Sequence, residues 1–168
     1  MEQKTYPNIT VVNDADEVTG YMQLPEAIEQ GVRRRISAVL VFNTRGEMLV
    51  QKRSSKVFWP NALDFSAGGH VDEGDDYETT AKKEAKEELG IDIVELSLVT
   101  EPFPTPYRFN VIYRTTIPDH VSITFNEEIS EILFLSSPDL EVAIKENPNE
   151  FRQNFKEVWP LIRDKIQL

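Results

Sequence analysis

In the run "EAKEELG", Glu84, Glu87 and Glu88 stand at positions i, i+3 and i+4. On a helix those positions share one face, with Cβ atoms ~5–6 Å apart. Lys83 and Lys86 flank this stripe but do not lie on it. Like charges so placed repel, and a plain surface helix would alternate signs. Hard divalent cations relieve that repulsion, because they bind clustered carboxylate oxygens, and magnesium is commonly shared between carboxylates and substrate phosphates. The stripe is therefore a candidate metal site; its plainer reading is an acidic, solvated helix face.

Other residues near it can do related chemistry. Arg53 ends the segment "LVQKR", and a guanidinium binds phosphate oxygens bidentately; surface solubility is the competing explanation. Phe58 and Trp59 precede Pro60, and such rings stack on a base or an isoprenoid, or simply pack a loop onto the core. His70 follows Gly69. It reads as a hydrogen-bonding loop residue rather than a ligand, since magnesium prefers oxygen. The compact basic patch Arg33–Arg35 reads as a solvated strand entry, with one arginine at most facing substrate.

Composition narrows the function classes. The chain has 29 acidic and 18 basic residues and a formal net charge of -11. Bare nucleic acid and anionic membrane surfaces repel such a chain, so neither is expected as a partner. Phosphate substrates stay open, because a bound divalent ion reverses the local sign. There is no cysteine, which removes disulfides, thiolate metal sites and cysteine nucleophiles. No run approaches the ~18 apolar residues of a membrane span, and "MEQKTYPNIT" lacks a signal peptide's apolar core. The expectation is a cytoplasmic protein.

These residues must be positioned by the rest of the chain. Its 168 residues fit one domain, 1–168. "NITVVNDADEVTGYMQL" predicts a hairpin over about 8–24, and "PEAIEQGV" a short helix between Pro25 and Gly31. Ile36 to Phe42 predicts a buried central strand, and "EMLVQKR" returns as its neighbour after "NTRG". "SSKVFWPNALDFSAGGHVDEGDD" predicts loop, and "DYETTAKKEAKEELG" a helix stopped by Gly90. Strands are then predicted at "IDIVELSLVTEPF", "YRFNVIYRTTI", "HVSITF" and "EISEILFLS". "SPDLEVAIKEN" predicts a capped helix. An amphipathic helix over about 149–166 closes the chain, with Phe151, Phe155, Val158, Trp159 and Ile162 at helical spacing. A β-rich order with one helix mid-chain and more at the end predicts an α/β (α+β) fold, a mixed sheet sandwiched between helices. The hairpin and the last helix are the candidate homodimer surfaces.

The spacing from Gly69 to Ile91 resembles the signature of the Nudix hydrolases: Gly, five residues, Glu, seven residues, Arg-Glu, an aliphatic, any residue, Glu-Glu, any residue, Gly, an aliphatic. Gly69, Glu84, Glu87, Glu88, Gly90 and Ile91 match, while Asp75, Lys83 and Ala85 depart conservatively. The segment "QKRSSKVFWPNALDFSAGGHV" is similar to the subgroup that also resembles isopentenyl diphosphate isomerase. The resemblance implies hydrolysis of a nucleoside diphosphate linked to another group, with Mg2+ or Mn2+. It implies the Gly69 carbonyl, Glu84, Glu87 and Glu88 as metal ligands, Glu87 or Glu88 as the base, and Glu128 as a further carboxylate. Arg53, Phe58 and Lys83 are the expected substrate contacts, on a small nucleotide, with "FWPNALD" and "TFNEEIS" favouring pyrimidines. Two other readings stand beside it. An isomerase needs a cysteine where Ser66-Ala67-Gly68 falls, and a non-catalytic nucleotide-binding module would tolerate Lys83 and Asp75.

Overall fold

The computed structural model describes residues 6–166. The chain runs β1 (Ile9–Val12), β2 (Val18–Met22), α1 (Leu24–Glu29), β3 (Arg33–Phe42), β4 (Met48–Arg53), β5 (Leu63–Asp64), β6 (Ala67–His70) and α2 (Tyr77–Leu89). It continues with β7 (Ser97–Leu98), β8 (Phe103–Thr105), β9 (Arg108–Thr116), β10 (Ile129–Leu135), α3 (Ser137–Glu146) and α4 (Gln153–Ile162).

Two hairpins are closed by the same local device. Asn13 Oδ1 accepts from the amides of Ala15 (2.9 Å) and Glu17 (3.0 Å). Asn43 Oδ1 accepts from those of Arg45 and Glu47, both at 3.0 Å. An asparagine side chain that bonds the backbone just ahead of it mimics a turn, which is why Asn opens both loops.

β3 is the spine, as its apolar run predicts. Along one edge it pairs in parallel with β9, from Arg34↔Arg108 to Phe42↔Thr116. Its other edge is divided in turn among β1, β6 and, at Phe42↔Met48, β4. β3 and β4 therefore diverge, and Ser66 bridges them: its Oγ accepts from Val41 N at 2.8 Å and donates to Leu49 O at 2.6 Å. The two faces of this mixed sheet carry separate cores. Ala81, Ala85 and Leu89 of α2 pack on Val39, Val41, Leu49 and Ala67. On the opposite face Leu140 of α3 and Phe155, Val158, Trp159 and Ile162 of α4 pack on Leu40, Phe42, Val50 and Ile112.

Four expectations change. "HVSITF" forms no strand. Thr124 N and Asn126 N instead bond Leu89 O and Glu88 O at 3.0 Å each, so these amides complete the C-terminal end of α2. Of "IDIVELSLVTEPF" only the short β7 and β8 pair, both with β9. The stretch read as loop contains β5 and β6; Gly68 and Gly69 hide the strand, since they leave no side-chain alternation. The closing helix is also shorter than its periodicity suggests, with 3-10 turns at Pro148–Glu150 and Arg163–Lys165 on either side of α4.

Phe155 is fully buried against Phe65, with ring centroids 4.6 Å apart, and stacks on Trp159 at 5.7 Å. Phe155→Ala should cost about 3–5 kcal/mol, read as a lowered urea midpoint with an unchanged slope; a loss under about 1 kcal/mol would mean α4 is not part of the cooperative core.

Candidate active site

The position of α2 sets one wall of the site. Its start is fixed by Asp76, whose carboxylate accepts from Thr79 N at 2.7 Å, a side-chain cap for otherwise orphan amides. Its end is fixed by Gly90 at φ 69°, with Gly90 N and Ile91 N bonded to Lys86 O and Ala85 O. With both ends fixed and the alanine face on the sheet, Glu84 leans over β6. Glu84 lies so close to Gly69 that a Cβ there would fall 2.1 Å from Glu84 Oε1. Glu88, four residues on, is buried, and Gln51 Nε2 of β4 donates to its Oε2 at 2.9 Å. Glu87 stays exposed.

All three glutamates line one cavity of about 510 Å³, together with Asp72 and Glu128. Among the described residues no three His, Asp or Glu side chains meet at one closed coordinating point. The carboxylates form an open wall rather than a finished cage. Burial, then the charge of Glu87, pushes the Glu84 carboxyl up to about 7. Burial, then Glu84, raises Glu88 well above the usual carboxylate range. Crowded oxygen donors that resist ionising together fit a hard divalent cation, and the Gly69 backbone has no side chain in the way.

Lys83 is engaged with acids at the rim. Its Nζ bonds Asp72 and, more loosely, Asp75 at 3.4 Å. Asp75 occupies the first acidic position of the predicted motif, but Asp72 is the nearer partner, and sequence spacing did not single it out.

The opposite wall is cationic. Arg53 Nε donates to Phe58 O at 2.8 Å, and its Nη1 lies 3.7 Å from Asp64 Oδ2. Arg152 Nη1 reaches the same Asp64 oxygen at 2.8 Å. Arg108 Nη1 contacts Asn154 Oδ1 at 3.4 Å. Burial first, and the charge of Arg152 second, lower the pKa values of both Arg53 and Arg108. Of this wall the sequence reading named Arg53 alone. Arg108 opens a strand and Arg152 precedes α4, and no spacing rule connects them. Phe58 sits at the cavity rim with its side chain 90% exposed, so its carbonyl is the group with a fixed role.

His70 hydrogen-bonds as expected, but from the end of β6 rather than from a loop. Its Nε2 accepts from Arg34 Nε at 3.1 Å. Burial, then the charges of Arg34 and Arg108, lower its pKa to about 3, so the ring is neutral with its proton on Nδ1. The other two arginines of the basic patch pair with the first hairpin, Arg33 with Asp14 at 3.2 Å and Arg35 with Asp16 at 2.8 Å.

A model of the NUDIX domain matches residues 31–162. The chain belongs to this family. The Gly69–Ile91 signature, both cavity walls and the spine strand all lie inside the matched range, while β1 and β2 precede it. A Deinococcus radiodurans protein named Nudix hydrolase is 38% identical over 90 residues, 53% of each chain. An uncharacterized Nudix hydrolase of Listeria monocytogenes is 31% identical over 124 residues, 73% of this chain and 69% of that one. This chain thus spans about half the length of the Deinococcus relative it matches. The crystal structure of DR0079 from Deinococcus radiodurans superimposes with a TM-score of 0.72 at 27% identity, over 83% of this chain and 90% of that one. The Nudix fold is therefore shown, with its mixed sheet between helices. Ser66, in the stretch where an isomerase needs a cysteine, is occupied in bridging β3 and β4. Among the described residues no helix is long and apolar enough to cross a membrane.

The Gly69–Glu84 contact makes a prediction of its own. Gly69→Ala should lower stability by about 1 kcal/mol, and the same change should be nearly neutral in a Glu84→Ala background. A double-mutant cycle by urea unfolding reads this coupling, and additive effects would show that the carboxylate does not rest against the glycine.

Proposed function

We propose that the chain is a divalent-metal-dependent hydrolase that cleaves the phosphoanhydride bond of a nucleoside diphosphate derivative. One observation carries the reading: Glu84, Glu87, Glu88 and Glu128 line the same cavity as Arg53, Arg108 and Arg152. Glu84, Glu87, Glu88 and the Gly69 carbonyl would hold Mg2+ or Mn2+. Such an ion supplies charge neutralisation on the phosphate oxygens and an activated water.

The chain's own groups do the remaining work. Arg53 binds a phosphate oxygen next to the carboxylate wall, its side chain aimed by the Phe58 carbonyl. Glu88 is the base with a fixed orientation, because Gln51 holds its Oε2, while Glu87 is freer to follow the substrate. Glu128 adds a further carboxylate to the same cavity. Lys83, bonded to Asp72 and Asp75, keeps those acids from spreading the negative wall further, and Phe58 offers an exposed ring for a base to stack on. A small-molecule nucleotide is the substrate in this reading. A second reading, a non-catalytic nucleotide-binding module, draws on Lys83, which spends its charge on the two aspartates rather than on orienting the glutamates.

A screen for nucleoside monophosphate release over nucleotides with Mg2+ or Mn2+ decides between the two. Release from one class establishes the hydrolase; metal-dependent binding without release establishes the module. Glu88→Gln should lower kcat by about 10²–10⁴-fold with the melting temperature held, and unchanged turnover would remove Glu88 from the chemistry. Calorimetry that detects no uptake of either metal, with or without nucleotide, would overturn the metal assignment.

A further inference from the structure

The cationic end of the cavity holds more donors than that reaction uses. One arginine beside the carboxylate wall serves the scissile diphosphate. Arg108 and Arg152 arrive separately, from the first residue of β9 and from the residue that opens α4. Of these, Arg152 and Arg53 share a single carboxylate, Asp64. Arg108 has no ion pair among the described residues, although the chain carries 29 acidic side chains that could have supplied one. A half-buried guanidinium without an ion pair, offset only by the longer-range charges of Glu157 and Asp64, is costly.

The neighbouring polar groups point the same way. Asn154 is 7% exposed and lines the cavity; its Oδ1 takes the Arg108 bond, and its amide NH2 has no partner among the described residues. The first turn of α4 has neither a side-chain cap nor an acidic residue, so its free amides add partial positive charge at the same place. His70, its Nε2 occupied by Arg34, has only Nδ1–H to offer. Asp64 and, at longer range, Glu157 are the acids here; the remaining groups offer donors. Two planar forks, an amide and a helix end together offer more N–H groups than one carboxylate accepts, and they suit the three oxygens of a phosphate.

We propose that this end of the cavity is a subsite for a second, non-scissile phosphate, so that the substrate is a nucleoside diphosphate derivative with a phosphomonoester remote from the bond that is cut. The assignment rests on the hydrolase reading for its reaction but not for its binding. Arg108 is the principal contact, Arg152 reinforces it while paired to Asp64, and Asn154 orients Arg108.

The test uses the full chain in two arms. In the first, inorganic phosphate is titrated by calorimetry without divalent metal. Binding should weaken about tenfold or more in Arg108→Met and in Asn154→Asp. The second variant is isosteric and sets a carboxylate against Arg108, so it decides the matter if Arg108→Met melts early. In the second arm, kcat and KM are measured with Mg2+ for coenzyme A against dephospho-coenzyme A, and for ADP-ribose 1″-phosphate against ADP-ribose. The phosphorylated member should have a KM lower by about tenfold or more at similar kcat. Arg108→Met should erase that difference.

Phosphate binding unaffected by both variants overturns the subsite. Phosphate binding without any discrimination within the pairs overturns the substrate assignment and leaves a site for free phosphate. If no member of either pair is cleaved, the hydrolase reading loses these substrates, while the metal-free titration still decides whether the anion site exists.

Discussion

The approach of α2 to the sheet is the contact on which the site depends. Helix and strand come together through residues with little or no side chain, Ala81 and Ala85 on one side and Ala67 on the other, all fully buried. That closeness brings Glu84 onto the face of Gly69, where no Cβ could fit without displacing the carboxylate. It also brings Glu88 within a hydrogen bond of Gln51. Burying two carboxylates four residues apart on one helix works against folding. The apolar contacts along the same helix offset that cost, so the acids keep positions they would leave on a free helix.

The two walls of opposite charge do not neutralise each other. Among the described residues no ion pair joins Arg53, Arg108 or Arg152 to Glu84, Glu87, Glu88 or Glu128. β4 explains much of this. Gln51 and Arg53 are two residues apart and so share a face of the strand, yet Gln51 serves Glu88 while Arg53 is drawn toward Asp64 and the Phe58 carbonyl. Pairing of Gln51 with Asp64 across β4 and β5 keeps that separation in register. A rigid sheet thus holds apart charges that flexible chains would let collapse, and a ligand with anionic oxygens and bound cations can satisfy both sides at once.

The carboxylate wall was legible in the sequence because it is local. Glu84, Glu87 and Glu88 lie on one helix with a strong N-cap and a Gly stop, and Gly69 lies at a set distance before it. The spine strand was legible for a similar reason: Ala38–Phe42 is apolar and buried on both faces. The cationic wall was not legible. Arg108, Arg152 and Asn154 meet only because β9 runs parallel to β3 while α4 crosses the far face. Neither fact follows from periodicity. β6 was missed because its glycines are needed for close approach: a Cβ on Gly68 would sit 2.8 Å from Ser37 O. A strand selected for bare backbone does not show the alternation that identifies strands.

The segment before β10 shows why a strand-like sequence can be more useful unpaired. "HVSITF" has the composition of a strand, and Val121 and Ile123 do pack into the α2-side core. Its amides, however, close α2: Thr124 N bonds Leu89 O and Asn126 N bonds Glu88 O. Asn126 then turns the chain, its Oδ1 accepting from Glu128 N at 3.0 Å, and the Glu128 carbonyl takes Ser54 N at 2.7 Å. Glu128 is thereby tied through backbone to the end of the helix that carries Glu88 and to the end of the strand that carries Arg53. A paired strand here would have spent those amides on a neighbour and left both the last carbonyls of α2 and the position of Glu128 to solvent. The helix end thus positions the loop, and the loop brings a further carboxylate to the cavity that Glu84 lines.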